Sequence, residues 1–179
     1  MAPVTPRVFG YGSLVNRATH AYPRAEPAEL SGWRRCWRGT TLRPAAFLSV
    51  HPAPGARIAG LVAEVPGGDW AALDAREFGY ARRDVTGAVA VPGDGPVAVY
   101  EVTAPPAEGP CPILLSYLDV VVQGFLREHG PDGVRAFFDT TDGWEMGIRD
   151  DRTAPFYPRA QRLSAEDLRL VDRELARVI

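Results

Sequence analysis

Val8-Phe9-Gly10-Tyr11-Gly12-Ser13-Leu14 sets the architecture of this chain: a short apolar strand runs straight into a loop with two glycines around one tyrosine. Glycines at that spacing let the backbone turn sharply and leave N–H groups pointing outward, where they can hold an anion or a polarised carbonyl without a charged side chain. The loop reads as a binding device at the start of the fold. Two better-known motifs of similar appearance do not fit. The dinucleotide fingerprint asks for a third glycine where Val15 stands, and the strand–helix–strand alternation it needs is missing. A serine-nucleophile elbow also needs glycine at the position of Val15, so Ser13 is a poor nucleophile.

Downstream of this loop, short apolar runs bounded by Pro and Gly predict strands over 28–38, 47–50 and 58–65, with Gly32 as a bend and Pro52-Ala53-Pro54-Gly55 as a turn. A short helix is expected after Gly67-Gly68, with Asp69 as its N-cap. The runs 85–91 and 97–102, joined by Pro92-Gly93-Asp94-Gly95, predict a hairpin. From Ile113 the period becomes helical, with Leu114, Tyr117, Leu118, Val121, Val122 and Phe125 on one stripe. A second short helix is expected over 134–138, and Ser164-Ala165-Glu166-Asp167 is a capping box that opens a last one. Residues 140–163 read as a long irregular segment, and such segments commonly carry function or cover a site. Strands first and helices last, without regular alternation, predict an α+β fold with an antiparallel or mixed sheet.

The 179 residues suit one domain over 1–179, and 46% hydrophobic content is enough for a well-formed core. A net charge of -2 leaves no electrostatic footprint for a nucleic-acid partner. Every basic residue is arginine, which favours fixed, forked contacts to carboxylates. Cys36 and Cys111 have no metal-ligand spacing and read as free thiols of a reducing compartment. No charged segment followed by an apolar stretch opens the sequence, and the apolar run 113–125 is too short and too polar to cross a bilayer. The expectation is a soluble cytoplasmic protein with no membrane partner; nothing in the sequence sets an oligomeric state.

Most chemistry-bearing side chains have ordinary explanations. His20, His51 and His129 are scattered. Asp139, Asp142, Asp150 and Asp151 suit turns and caps, and Glu64 and Glu101 suit a solvated sheet face. Glu77 differs. It closes the short helix and is flanked by Leu73, Phe78 and Tyr80, surroundings that would desolvate a carboxyl and raise its pKa towards the range of a general base.

Tyr11-Gly12-Ser13-Leu14, taken with Leu73-Asp74-Ala75-Arg76-Glu77-Phe78-Gly79-Tyr80-Ala81-Arg82-Arg83-Asp84-Val85, resembles the gamma-glutamylcyclotransferase-like family, especially its ChaC-type branch. Gly60 to Val65 is similar to the strand before the family's catalytic helix, and Pro112 to Gly124 to its late helix. The resemblance implies a small mixed β-barrel with flanking helices, and cyclisation of a small-molecule gamma-glutamyl substrate to 5-oxoproline without metal or organic cofactor. By match of position it gives Glu77 the acid–base role. It assigns Tyr11, Gly12, Ser13 and Leu14 to the loop that binds the gamma-glutamyl group, and Tyr117 to the pocket wall. Two other readings stand beside it: a non-catalytic ligand-binding module of the same fold, and removal of a gamma-glutamyl protecting group from a biosynthetic intermediate. Residues 140–163 fall outside the matching blocks.

Overall fold

The computed structural model describes residues 4–179. Six strands form a mixed sheet in the order β4-β5-β1-β3-β2-β7. At its centre β1 (Arg7–Gly10) runs antiparallel to β3 (Arg43–Glu64) and parallel to β5 (Val97–Val102). The long antiparallel pair of β2 (Glu26–Thr40) and β3 is the backbone of the sheet, with β4 (Tyr80–Asp84) at one edge and β7 (Thr141–Asp142) at the other. A lone bridge from Leu30 on β2 to Val89, beyond β4, draws the sheet round on itself.

The helix α2 (Leu115–Asp139) fills the concave side. Its residues Leu118, Val121, Val122 and Phe125 recur at helical spacing and bury against Phe9, Leu30, Leu48 and Ile58 of the sheet. Each such side chain contributes about 1.5–3 kcal/mol on burial. The helix is broken at Gly130 (φ 70°), with Pro131 opening its second half. The short helix expected over 134–138 is the end of that half. The helix α1 (Trp70–Arg76) starts where expected, with Asp69 Oδ1 accepting from the Ala72 N–H at 3.1 Å. The helix α3 (Ala165–Leu175) is capped by Ser164, whose Oγ accepts from the Asp167 N–H.

Three expectations are corrected. The 52–55 stretch does not separate two strands, because β3 spans it, although residues 53–56 have no partner on β2. The register instead jumps from Ser31↔Arg57 to Trp33↔Pro52, around Gly32 at φ 81°. The hairpin partner of β5 is β4 rather than 85–91. Asp84 Oδ1 accepts from the Thr86 N–H and hydroxyl, which turns the chain out of the strand immediately after β4. Ile113–Leu114 is a short strand, β6, parallel to β8 (Ile148–Arg149), and the helix begins one residue later at Leu115.

Candidate functional site

The loop after β1 is a single 3-10 turn over Ser13–Val15 that is pinned to α2. Asn16 is fully buried; its amide donates to the Val120 carbonyl and to Gln123 Oε1, each at 2.9 Å. Gly124 allows that approach, since a Cβ there would lie 2.6 Å from the Asn16 backbone nitrogen. The Val15 and Asn16 N–H groups close the turn. Those of Gly12, Ser13 and Leu14 donate to no backbone carbonyl among the described residues, and that of Ser13 faces the Tyr117 hydroxyl.

Gly12 itself has φ -131°, so no left-handed conformation demands a glycine there. The reason lies across the cavity: a Cβ on Gly12 would sit 2.7 Å from the Tyr117 hydroxyl and 3.1 Å from Leu48. Tyr11 contributes its ring, while its hydroxyl donates to the carbonyls of Tyr100 (2.5 Å) and Leu48 (3.3 Å). Tyr80 similarly donates to the Leu48 carbonyl at 2.9 Å.

Glu77 is the residue at which α1 ends; its N–H donates to the Leu73 carbonyl, and Gly79 at φ 91° then turns the chain into β4. The carboxylate is four-fifths buried, with Arg76 Nε 3.7 Å from Oε1. Burial pushes its pKa up, and the guanidinium groups of Arg76 and Arg159 only partly offset this. The phenols of Tyr11, Tyr80 and Tyr117 are pushed up as well, chiefly by burial, and stay protonated at neutral pH.

Two connected cavities meet at this carboxylate. The inner one, about 40 Å³, is bordered by Tyr11, Gly12, Leu14 and Tyr100. The outer one, about 290 Å³, is bordered by Arg43, Phe47, Arg76, Tyr157 and Arg159. Ser13, Leu48, Glu77, Tyr80 and Tyr117 border both. All six residues singled out from the sequence (Tyr11, Gly12, Ser13, Leu14, Glu77 and Tyr117) therefore converge on one place. The sequence reading missed the arginines and Tyr157. The signal available for two of them was the long irregular segment 140–163, from which Tyr157 and Arg159 come.

The other candidates lie elsewhere. His20 and His129 are held by the carbonyls of Leu14 and Gly60, and His51 sits near Asp142. Asp139, Asp142 and Asp151 are bound by Arg177, Arg34 and Ser116 respectively, and Asp150 accepts from the Arg152 N–H. Glu64 and Glu101 pair with Arg24 and Arg83. Cys36 is half-buried, Cys111 is buried, and both are free. No helix among the described residues is long and apolar enough to cross a membrane.

Fold and site together define a small α+β protein with one desolvated carboxylate set between a glycine loop and a cluster of tyrosines. The model of the ChaC-like protein family matches residues 7–104, more than half of the chain, and the chain belongs to that family. Among solved structures it is similar to one described as a gamma-glutamyl cyclotransferase, with 16% identity, TM-score 0.58, and coverage of 94% of this chain and 99% of the other. An uncharacterized protein from Homo sapiens matches with 15% identity and TM-score 0.58 over 95% of this chain and 99% of its own. YkqA from Bacillus subtilis matches with 17% identity and TM-score 0.58 over 78% of this chain and 56% of its own. At these identities the likeness is one of fold. No curated protein matches the chain.

Proposed function

We propose that the protein is a gamma-glutamylcyclotransferase-type enzyme that converts a gamma-glutamyl compound to 5-oxoproline and a free amine, with Glu77 as general base and then acid. The observation that carries this reading is the position of the Glu77 carboxylate. It is desolvated, and it stands where the cavity of the glycine loop opens into a larger one.

The reaction is an internal transfer. The substrate's own alpha-amine attacks its gamma-carbonyl carbon, a C–N bond forms within a five-membered ring, and the C–N bond to the leaving amine breaks. The proton lost by the alpha-ammonium is returned to the departing nitrogen, so one carboxylate can serve both steps. Such proton transfer contributes ~10²- to 10⁴-fold. The nucleophile belongs to the substrate, so no serine, cysteine or metal-bound water is called for, which suits the poor credentials of Ser13. The N–H groups of Gly12 and Leu14, which donate to no backbone carbonyl among the described residues, supply donors for the substrate's carboxylate or for the developing oxyanion. The rigid walls of Leu48, Tyr80 and Tyr117 favour the folded-back conformer from which the ring closes.

The test is direct. The purified protein is incubated with a panel of gamma-glutamyl amino acids, peptides and amines, and 5-oxoproline is measured. Formation from at least one is expected; formation from none would sink the proposal.

A further inference from the structure

We propose that His20 is a positioning residue for the site: its uncharged imidazole joins the carbonyl of Leu14, in the glycine loop, to Tyr22, whose phenol holds Arg76 beside Glu77. Charging the ring in mild acid breaks the join and loosens the hold on the glutamyl group. This rests on the function proposed above, because it gives His20 a part in that same site.

His20 stands behind the glycine loop, where the 3-10 turn Arg17–Thr19 ends, and acts on the cavities only through its neighbours. Its Nε2 is 2.8 Å from the Leu14 carbonyl oxygen, and its Nδ1 is 3.1 Å from the Tyr22 backbone nitrogen. A backbone N–H can only donate, so Nδ1 presents its lone pair to Tyr22. The ring proton is therefore on Nε2 and is donated to Leu14. From Tyr22 the path continues to α1. Arg76 donates from Nη1 to the Tyr22 hydroxyl at 3.2 Å and from Nη2 to the Thr19 carbonyl at 3.4 Å, with its Nε 3.7 Å from Glu77 Oε1. The Thr19 hydroxyl lies 2.9 Å from the carbonyls of both Ser13 and Asn16. Leu14 and Tyr22 also pack on the same small cluster, which includes Leu73 of α1. Residues 19–22 thus form a strap from the loop that binds substrate to the helix that carries the base.

The charges around the ring decide when it takes a second proton. Arg17, on the 3-10 turn, and Arg76, on α1, are cationic; Glu128, on α2, is anionic but is engaged by Arg17 through two bonds of 2.5 and 2.9 Å. Burial and the two arginines push the His20 pKa down, against the pull of the Leu14 carbonyl and Glu128. The ring is neutral at pH 7 and charges only below the ordinary histidine value of about 6.5. The added proton goes to Nδ1, where it meets the Tyr22 N–H donor to donor. The bond to Tyr22 is then lost, and with it the tie between loop and α1.

The experiment has two arms. The first measures 5-oxoproline kinetics on the gamma-glutamyl compound of the panel that wild type cyclises fastest. At neutral pH His20→Ala should raise KM by about tenfold while kcat changes by less than about threefold, because the loop is disturbed and the base is not. In wild type KM should rise as pH falls below about 6.5. His20→Gln keeps a donor and an acceptor but cannot charge, so its KM should lack that rise; Glu77 titrates in both proteins, and the difference belongs to His20. The second arm is nitrogen-15 NMR of the ligand-free protein. His20 should carry its proton on Nε2 at neutral pH, and the amide signals of Gly12 and Leu14 should shift along the titration of His20 rather than that of His51 or His129. A proton on Nδ1, loop amides that do not follow His20, an unchanged KM in His20→Ala, or a wild-type acid rise in His20→Gln would each overturn the proposal. If no 5-oxoproline forms from any compound, the cyclisation reading fails by itself, and the NMR arm still decides whether His20 holds the loop.

Discussion

Replacing Gly12 by alanine should damage the site through two identifiable contacts, with Leu48 at 3.1 Å and, more closely, with Tyr117. The new methyl would lie 2.7 Å from the Tyr117 oxygen, roughly 0.7 Å inside ordinary van der Waals contact. Gly12 is not in the left-handed region (φ -131°), and the contact with Tyr117 is the cost under test. Tyr117 cannot retreat freely, because its ring meets Trp37 edge-on at 5.9 Å and Tyr157 at 5.0 Å. Overpacking of this kind costs about 1–3 kcal/mol. For a protein of this size, 2 kcal/mol lowers Tm by about 4–8 °C. A similar loss in the transition state lowers kcat/KM by ~30-fold. The second arm is Tyr117→Phe, after which the nearest ring atom to the new methyl is Cζ at 3.9 Å, an ordinary contact. Gly12→Ala should then cost at least about 1 kcal/mol less than in the wild-type background, measured by urea denaturation of the four proteins. Additivity within about 0.5 kcal/mol, or a Gly12→Ala protein of unchanged Tm and kcat/KM, would refute the clash and with it the close fit of loop to helix.

Asp151, Gly124 and Glu77 carry further predictions. Asp151→Ala removes the acceptor for three donors and should cost about 3 kcal/mol, read by denaturation. Burial works against the charge of Asp151, but its bonds from Ser116 and Phe156 hold the pKa below the usual carboxylate range. Its stabilisation is therefore fully present above the unfolded-state value and is lost as pH falls through the lower folded one, so wild type and variant should converge in strong acid. Gly124→Ala drives a methyl into the Asn16 backbone and should destabilise by about 1–3 kcal/mol, with loss of activity as the loop shifts. The raised pKa of Glu77 places the acid limb of the kcat/KM profile above the ordinary glutamate range, since the base must be ionised to act. The same shift means that folding disfavours the ionised carboxylate, so Glu77→Gln should match or exceed wild type in stability at neutral pH, with the advantage fading in acid.

What could be read from the sequence was local. Asp69 and Ser164 announced their helices because a capping side chain acts within three residues. Glu77 stood out because its apolar neighbours are adjacent in sequence. The strand β4 was missed because Tyr80-Ala81-Arg82-Arg83-Asp84 is an exposed edge strand whose charges hide any apolar alternation. Val85 to Val91, more strand-like in composition, is diverted by the Asp84–Thr86 contact. Pro52-Ala53-Pro54-Gly55 has turn chemistry, and of its residues only Pro52 pairs with β2, so the continuation of β3 through it has no local signal. Tyr157 and Arg159 carry no local signature. Their place at the cavity depends on the Asp151–Ser116 tether, a contact between residues 35 apart.

The most direct test of the whole account is the turnover of Glu77→Gln on whichever gamma-glutamyl compound wild type cyclises. Glutamine keeps the size of the side chain but cannot take the proton from the attacking amine. The account predicts a folded variant that still binds substrate and forms 5-oxoproline ~10²-fold more slowly or worse. A Glu77→Gln protein that forms it at a rate similar to wild type would contradict the central claim.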